Sequence, residues 1–225
     1  FGGMLQAPAG SGIITPLTTL VAWMMDDGLS QADAGAAVEA AFGLDADLDM
    51  FSADPVALTS AETAGGSALY VTGVAVQNTL TQVAALLEGV SGGSAVDMFN
   101  AAAEALADIV AAAGGPVDLS DSATLDALIA DAGTIAGLDA GQITSLNSLT
   151  DDASDVIQAS NQILDSNTDA AGSGTAVLQA ASQVAIVSQG SAAADIVTAA
   201  QGNDLSAIVT GYTDAALDTA VSDAA

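Results

Sequence analysis

Residues 12–55 read GIITPLTTLVAWMMDDGLSQADAGAAVEAAFGLDADLDMFSADP and hold the clearest helix start and stop signals of the chain. Thr15 before Pro16 predicts a helix start, because the threonine hydroxyl can cap a backbone N–H and proline has no N–H to leave unpaired. Gly28 predicts the end of this first helix. One apolar face follows the start at helical spacing, formed by Leu17, Leu20, Val21 and Met24.

A second helix is predicted directly after the first. Ser30 followed by Asp33 is typical of a helix start with an acidic residue in its first turn. We expect this helix over residues 31–42, with Gly43 as its stop. Residues 44–50 then alternate apolar and acidic side chains, and Asp54 before Pro55 opens a further, short helix.

The acidic side chains after the second helix are the candidate metal ligands of the chain: Asp45, Asp47, Asp49 and Asp54. The first three have the spacing with which an EF-hand loop begins. Met50 stands where that loop needs glycine, and Val56 stands where it needs glutamate, so the segment is not an EF-hand. Two interpretations stay open. The four carboxylates form a looser calcium site with loop carbonyls, or the segment is solvated and packs Leu48 and Met50 on the core.

This first quarter of the chain resembles a helical module of large secreted bacterial surface proteins. These are adhesin-like chains that also carry cadherin-like or hemolysin-type calcium-binding repeats. The resemblance implies an extracellular structural or adhesive role and supplies no catalytic site. The residues that carry it are APAG (7–10), ITPLTTLV (14–21), GLS (28–30), FGL (42–44) and DP (54–55).

Composition constrains the chain more sharply than any motif. Its 225 residues include 28 acidic residues and no Lys, Arg or His, which gives a formal charge of −28. No salt bridge between side chains can form, so each carboxylate must be solvated, capped by backbone N–H groups or bound to an external cation. Self-repulsion of this size is tolerable in a screening medium, because the Debye length falls to roughly 4 Å at ~0.5 M salt. We therefore expect an extracellular or cell-surface location.

The same composition excludes most chemistry. Without His, Cys, Lys or Arg, the chain can build no Ser-His-Asp triad, cysteine nucleophile or Schiff base. It offers no group to neutralise a nucleic-acid phosphate. A paired-carboxylate glycosidase stays formally open, but four glutamates and few aromatic residues argue against it. We expect no enzyme and no nucleic-acid partner.

Glycine, proline and apolar spacing divide the rest of the chain into helices. In the first long helix the apolar positions step by four and three residues, which is the spacing of a seam against another helix, so we expect it to be central. Glycines at 190 and 202 mark the last boundaries. The predicted helices cover residues 61–88, 95–113, 119–132, 142–165, 175–189, 191–201 and 204–224. Asp118 and Asp121, near the start of the third of these, are predicted to be caps.

Two stretches lack charge over the length of a membrane span, residues 64–87 and 170–194. Both contain glutamine or asparagine and neither is flanked by Lys or Arg, so buried helices are favoured and no membrane span is expected. The glycine-containing segment 133–141 is a break, at which two subdomains meet or one bundle continues. We predict a single domain over residues 1–225.

The predicted fold is all-α, an elongated bundle of about seven to nine helices with an extended lead-in over residues 1–12. The apolar end of the lead-in, Phe1, Met4 and Leu5, packs on its own domain or pairs with a neighbouring subunit as an added strand. The predicted function is a non-catalytic structural or adhesive module of a surface filament, biofilm matrix or giant adhesin, stabilised by calcium. Its expected partner is a further copy or another surface protein. The alternative is a bundle that holds a small apolar ligand or pigment.

Overall fold

The computed structural model of the protein describes residues 4–224, and all regular structure in that range is helical. The predicted all-α bundle is therefore confirmed, whereas Phe1 lies outside the described residues. In chain order the elements are α1 Pro16–Asp26, α2 Gln31–Phe42, α3 Pro55–Ser60, α4 Gly66–Ser91, α5 Ala95–Ala112, α6 Ser122–Ile135, α7 Ala140–Asp169, α8 Gly174–Ile186, a π-helical segment Val187–Ala192, α9 Ala193–Gln201, α10 Ser206–Gly211 and α11 Asp214–Asp223.

The described part of the lead-in is held against α1. The N–H of Gln6 donates to the hydroxyl of Thr19 at 2.9 Å, and the carbonyl of Gln6 accepts from the hydroxyls of Thr18 and Thr19 at 3.0 and 3.1 Å. Leu5 packs against the main core, while Met4 is 62% exposed. Of the apolar end of the lead-in, Leu5 thus packs on its own domain, the first of the two predicted arrangements, whereas Met4 does not.

The first two helices begin and end where the sequence predicts. The Thr15 hydroxyl accepts from the Thr18 N–H at 3.1 Å, and the Thr15 N–H donates to the Thr18 hydroxyl at 2.9 Å. The Ser30 hydroxyl caps α2 in the same way, and Gly43 closes it with a positive φ of 62°. These signals are local, which explains why they can be identified without tertiary information.

Helix α4 is the centre of the bundle, as predicted. It contacts α1, α3, α5, α6, α7, α8, the π segment and α9. A helix with neighbours on so many sides has little contact with water. All six positions of the predicted seam are therefore buried. Its members are Leu69, Gly73, Val76, Leu80, Val83 and Leu87.

The predicted start of α4 at residue 61 is wrong. Ala61 ends α3, and the turn that follows places Glu62 at φ 55° and Gly65 at φ 75°. Left-handed residues interrupt an α-helix, so α4 begins only at Gly66. The predicted break over residues 133–141 is present but shorter, because α6 continues to Ile135 and α7 begins at Ala140.

The C-terminal helices differ most from the prediction. Gly190 does not end a helix. Instead α8, the π segment and α9 form one uninterrupted helical run, in which the wider π turn absorbs this residue. The predicted single helix over 204–224 is wrong, because the chain leaves helical geometry at Tyr212 and Asp214 has a φ of 49°. The Tyr212 hydroxyl donates to the Asp195 carboxylate at 2.6 Å and so ties this break to α9.

Two groups of buried apolar side chains fill the bundle. The main core cluster takes residues from α1 to α7 and from α9, including Leu20, Leu86 and Leu128. It draws on both sides of residues 133–141, since Leu146 and Val156 of α7 belong to it. The second core cluster joins α7, α8, the π segment and α11; its buried members are Ile163, Leu164, Ala181, Val184, Val187, Leu217 and Val221.

Candidate functional site

Asp45, Asp49 and Asp54 of the predicted calcium site accept hydrogen bonds from neighbouring residues in the sequence, and Asp47 is exposed. Asp45 accepts from the Asp47 N–H at 3.0 Å, and Asp54 caps α3 by accepting from the N–H groups of Val56 and Ala57 at 3.0 and 3.2 Å. Such bonds turn a carboxylate toward its own backbone. Among residues 4–224 no three carboxylates converge in an arrangement suited to a metal ion.

Asp49 shows how firmly this loop holds a carboxylate. It accepts from the Ser52 hydroxyl at 2.6 Å and from the Phe51 N–H at 3.0 Å, and these two bonds lower the pKa of Asp49 below its usual value. Met50 beside it is buried in the main core cluster and Leu48 is half-buried. The packing of these two side chains is what the second interpretation of the segment expects. Calcium binding by the loop stays a prediction.

The other predicted roles of aspartates are simpler. Asp121 caps α6 by accepting from the Thr124 N–H at 3.0 Å, and Asp118 accepts from the Ser120 N–H at 2.8 Å. Asp121 is therefore a helix cap, as predicted, whereas Asp118 bonds within the turn that precedes α6.

Carboxylates at the end of α1 and on α5 and α6 lie near enough to influence one another on one side of the bundle, although they form no metal-binding group. This acidic patch consists of Asp27 after α1, Glu104 and Asp108 on α5, and Asp131 on α6. Partial burial and the neighbouring charges raise the pKa of Glu104 and of Asp108, and a hydrogen bond with Asp27 raises the pKa of Asp108 further. The chain has no basic side chain to neutralise these carboxylates. Their mutual repulsion is therefore unfavourable, and a cation from solution can reduce it.

A concave apolar cleft opens between the lead-in, the start of α3 and the first half of α4. It has a volume of about 390 Å³, which lies within the range of about 300–1,000 Å³ typical of small-molecule sites. Ile14 and Val56, which are 60% and 49% exposed, line it. Its apolar wall includes Leu5, Ile13, Leu17, Met50, Leu69 and Val74.

Gly73 explains why the cleft is open. It lies on α4 and is buried, yet a Cβ atom built on it would meet no other atom within 4 Å. A buried position with free space in front of it borders a void. Any larger residue at this step of the seam would enter the cleft.

Few polar groups face the cleft, and one of them is incompletely bonded. Gln77 is 7% exposed and lines the cleft. Its Nε2 donates to the Thr81 hydroxyl at 3.0 Å, whereas its Oε1 has no hydrogen-bond partner among residues 4–224. Gln189 reaches the cleft from the π segment and donates to Asn78 Oδ1 at 2.8 Å. Asp54 is the charged residue of the lining.

The sequence analysis missed this cleft. Its walls come from four separate parts of the chain, so no single motif marks it. Two local signals exist: a glycine inside an otherwise aliphatic seam, and Gln77 on an uncharged helix. In the sequence alone, the glutamine argues solely against a membrane span. Within the described part of the chain, no helix has the length and apolar character that a span needs.

The fold and the cleft define the chain as an all-helical bundle with a small apolar site on its surface. Comparison with family models, with curated proteins and with solved structures finds no match to this chain. The resemblance to adhesin-like modules stays a prediction.

Proposed function

We propose that this chain is a non-catalytic structural or adhesive module of an extracellular assembly. It serves as a subunit of a surface filament or matrix, or as a segment of a giant adhesin, and its copies associate when divalent cations offset their charge. The observation that carries the proposal is a formal charge of −28 on a chain without a single basic side chain.

The acidic patch supports the role of divalent cations. Burial and the neighbouring carboxylates raise the pKa of Glu104 and of Asp108 on α5, so a bound or condensed cation lowers the free energy of this surface. A cation shared between two such surfaces contributes to association, because the chain itself offers no positive group to a second copy. Calcium is the expected ion, since it takes six to eight oxygen ligands in flexible geometry.

Light scattering after size-exclusion chromatography tests this proposal. The molar mass is measured in excess calcium, in excess chelator, and in sodium chloride of equal ionic strength. We expect multiples of the 21.6 kDa chain in calcium alone. A constant monomer at every calcium level contradicts the proposal, and electron microscopy of the calcium sample distinguishes filaments from closed oligomers.

A pair of variants locates the cation effect. Replacing Asp27 and Asp108 by Asn removes two charges from the acidic patch. Replacing Asp151 and Asp155 by Asn removes two from the outer face of α7, where both are exposed. We expect association to need more calcium in the first variant than in the second. Equal behaviour of the two would show that the patch has no special part.

The apolar cleft favours a second candidate function, the binding of a small apolar ligand. Protein purified from its natural source is extracted with organic solvent, and the extract is analysed by mass spectrometry. We expect a molecule at about one equivalent per chain. Extracts that match those of an unrelated helical protein would count against this candidate.

A further inference from the structure

We propose that a second cavity binds a small organic cation, an ammonium group carried on an apolar body. This linker cavity lies between residues 113–121, which connect α5 to α6, the end of α2, and helices α4 and α7, and its volume is about 310 Å³. The proposal is independent of the assembly and of the apolar cleft. It depends on the fixed and largely apolar wall of the cavity and on two accessible carboxylates in its lining.

The connecting segment that forms one wall is fastened to two helices. The Val117 N–H donates to the Ala41 carbonyl of α2 at 2.8 Å. The Leu119 carbonyl accepts from Asn161 Nδ2 of α7 at 2.8 Å, and the Ser120 carbonyl accepts from a glutamine of the same helix. A wall held in this way needs little rearrangement when a ligand enters, so less conformational freedom is lost on binding.

The wall determines the body of the ligand. Phe42, Val71 and Val117 are half-buried, so part of their apolar surface contacts water in the free protein. An apolar body that covers this surface is favoured by the hydrophobic effect. The volume is at the lower end of the range of about 300–1,000 Å³ typical of ligand sites, which limits the ligand to a small molecule.

Two carboxylates in the lining determine its charge. Asp118 and Asp165 are both exposed, so a molecule in the cavity can reach them. One oxygen of Asp118 accepts from the Ser120 N–H at 2.8 Å, whereas the Asp165 carboxylate has no hydrogen-bond partner among residues 4–224. Partial desolvation, and then the charges of Asp169 and Asp118, raise the pKa of Asp165. A cation beside it would stabilise its charged form.

A buried amide favours the same charge. Asn161 is 2% exposed and contributes to the lining, and its Oδ1 has no partner in the described part of the chain. The ligand does not bond to this covered oxygen. Its partial negative charge still favours a positive group nearby, because electrostatic interactions are weakly screened in a protein interior. The chain has no basic side chain to supply that group.

Three probes separate the charge of the ligand from its apolar body. 2-Phenylethylammonium has both. 2-Phenylethanol has the same body with a neutral hydroxyl in place of the ammonium group, and methylammonium has the charge without the body. Each is titrated into ¹⁵N-labelled protein in chelator and about 0.15 M salt, at which the Debye length is about 8 Å. Amide chemical shifts report both the affinity and the location of binding.

We expect saturable binding of phenylethylammonium, with the largest shifts at residues 41–43 and 116–120. The alcohol and methylammonium should each bind about tenfold more weakly, because the first lacks the ion pairs and the second lacks the apolar contact. Equal affinities of phenylethylammonium and the alcohol would overturn the inference about charge. Equal affinities of the two ammonium ions, or shifts spread over the acidic surface, would indicate general counterion attraction and overturn the site.

A pair of double variants tests the two carboxylates. Replacing Asp118 and Asp165 by Asn removes both charges with little change of shape, so the difference in affinity between phenylethylammonium and the alcohol should disappear while the alcohol binds as before. Replacing Asp151 and Asp155 by Asn lowers the net charge equally at exposed positions outside the cavity and should preserve the difference. A difference that persists in the first variant would contradict the assignment of these carboxylates.

Thr72→Phe tests the cavity itself. Thr72 is half-buried on α4 and lines the cavity, so a phenyl ring there should occupy the site and weaken both phenyl probes at least about tenfold. Thr150→Phe makes the same change at a half-buried position outside the cavity and should bind like the parent. Unchanged binding by a folded Thr72→Phe variant would contradict the site; Thr72→Leu is the second variant should phenylalanine prevent folding.

Discussion

Asn161 and Gln82 carry the same amide group in the same bundle, but their surroundings differ. Asn161 is 2% exposed, and its Nδ2 donates to the Thr79 hydroxyl at 2.9 Å and to the Leu119 carbonyl at 2.8 Å, while its Oδ1 has no partner among residues 4–224. Gln82 is fully buried, and neither atom of its amide has a partner among residues 4–224. A bonded buried amide stabilises one packing arrangement, whereas an unbonded one costs free energy.

Opposite effects on stability are expected at these two positions. Asn161→Leu leaves the Leu119 carbonyl and the Thr79 hydroxyl without their donor and should lower the free energy of unfolding by about 1–3 kcal/mol. Gln82→Met keeps the length of the side chain and removes the unpaired amide. This variant should raise the free energy of unfolding by about 1 kcal/mol. Urea unfolding followed by circular dichroism measures both. A destabilised Gln82→Met variant would mean that ordered water pairs this amide.

Single residues were also the most predictable level of this structure. Thr15, Ser30, Asp121 and Gly43 take the capping roles that the sequence assigns to them. A cap depends on a few consecutive residues, so its chemistry is visible in the sequence. The bonding of Gln82 depends on side chains from distant segments, and nothing in the sequence indicates it.

At the level of the element, α4 contains two glycines with contrasting environments. Gly73 borders the cleft. Gly89 lies where α9 approaches, and a Cβ on it would come within 2.6 Å of both the Val197 carbonyl oxygen and the Ala200 Cβ. The absence of a side chain at Gly89 therefore allows α4 and α9 to pack closely at this point.

Alanine at these glycines should act in opposite directions. Gly73→Ala gains helix propensity without a clash and should raise the free energy of unfolding by about 0.5–1 kcal/mol. Gly89→Ala gains the same propensity but forces α9 outward and should lower it by about 1–3 kcal/mol. Thermal unfolding of the two variants provides the comparison, and a stabilised Gly89→Ala variant would refute the close contact.

Helices were predictable from the sequence where the spacing of apolar residues defines their buried face. The seam of α4 repeats with the period of a helix, and its six positions are all buried. Helix ends set by long-range contacts were not predictable. Glu62, for example, takes a φ of 55° in the turn before α4, where it accepts from the Gly174 N–H at 3.2 Å. The sequence also cannot distinguish a glycine that ends a helix from Gly190 inside a π turn, because both interrupt the apolar period in the same way.

For the whole molecule, repulsion among carboxylates determines how stability responds to solution conditions. Burial and neighbouring carboxylates raise the pKa of Glu39, Glu104, Asp108 and Asp165 above the usual values. A raised pKa means that the folded protein holds these protons more tightly than the unfolded chain does. The folded state therefore gains stability as the pH falls toward these pKa values and loses it as the pH rises through them.

We expect the melting temperature to rise as the pH falls from 7 to about 5, the reverse of ordinary acid destabilisation. Asp49 and Asp204 oppose this trend, but their pKa values are lowered by hydrogen bonds, so their effect begins only in stronger acid. Differential scanning calorimetry at constant ionic strength measures the trend, and Asp108→Asn should reduce it. A melting temperature that falls from pH 7 to about 5 would disprove the dominance of repulsion.

Salt should stabilise the protein by the same mechanism. Between about 0.01 M and about 0.5 M sodium chloride the Debye length falls from about 30 Å to about 4 Å, so repulsion within the −28 charge is screened. We expect a steady rise in the urea midpoint with an unchanged m-value, because the surface exposed on unfolding stays the same. A midpoint independent of salt would show that the folded state carries no net repulsion.

The π segment at Val187–Ala192 lets one helix serve two cores. Val184 before it belongs to the second core cluster, and Ile196 after it belongs to the main one. Each π turn holds more residues than an α turn, so it rotates the following apolar face. Deletion of a single amino acid there would restore regular α-helical hydrogen bonding. The apolar face of α9 would then no longer point toward α4. In descendants of this chain, insertions and deletions should accordingly be tolerated in the connecting turns but selected against at this one point.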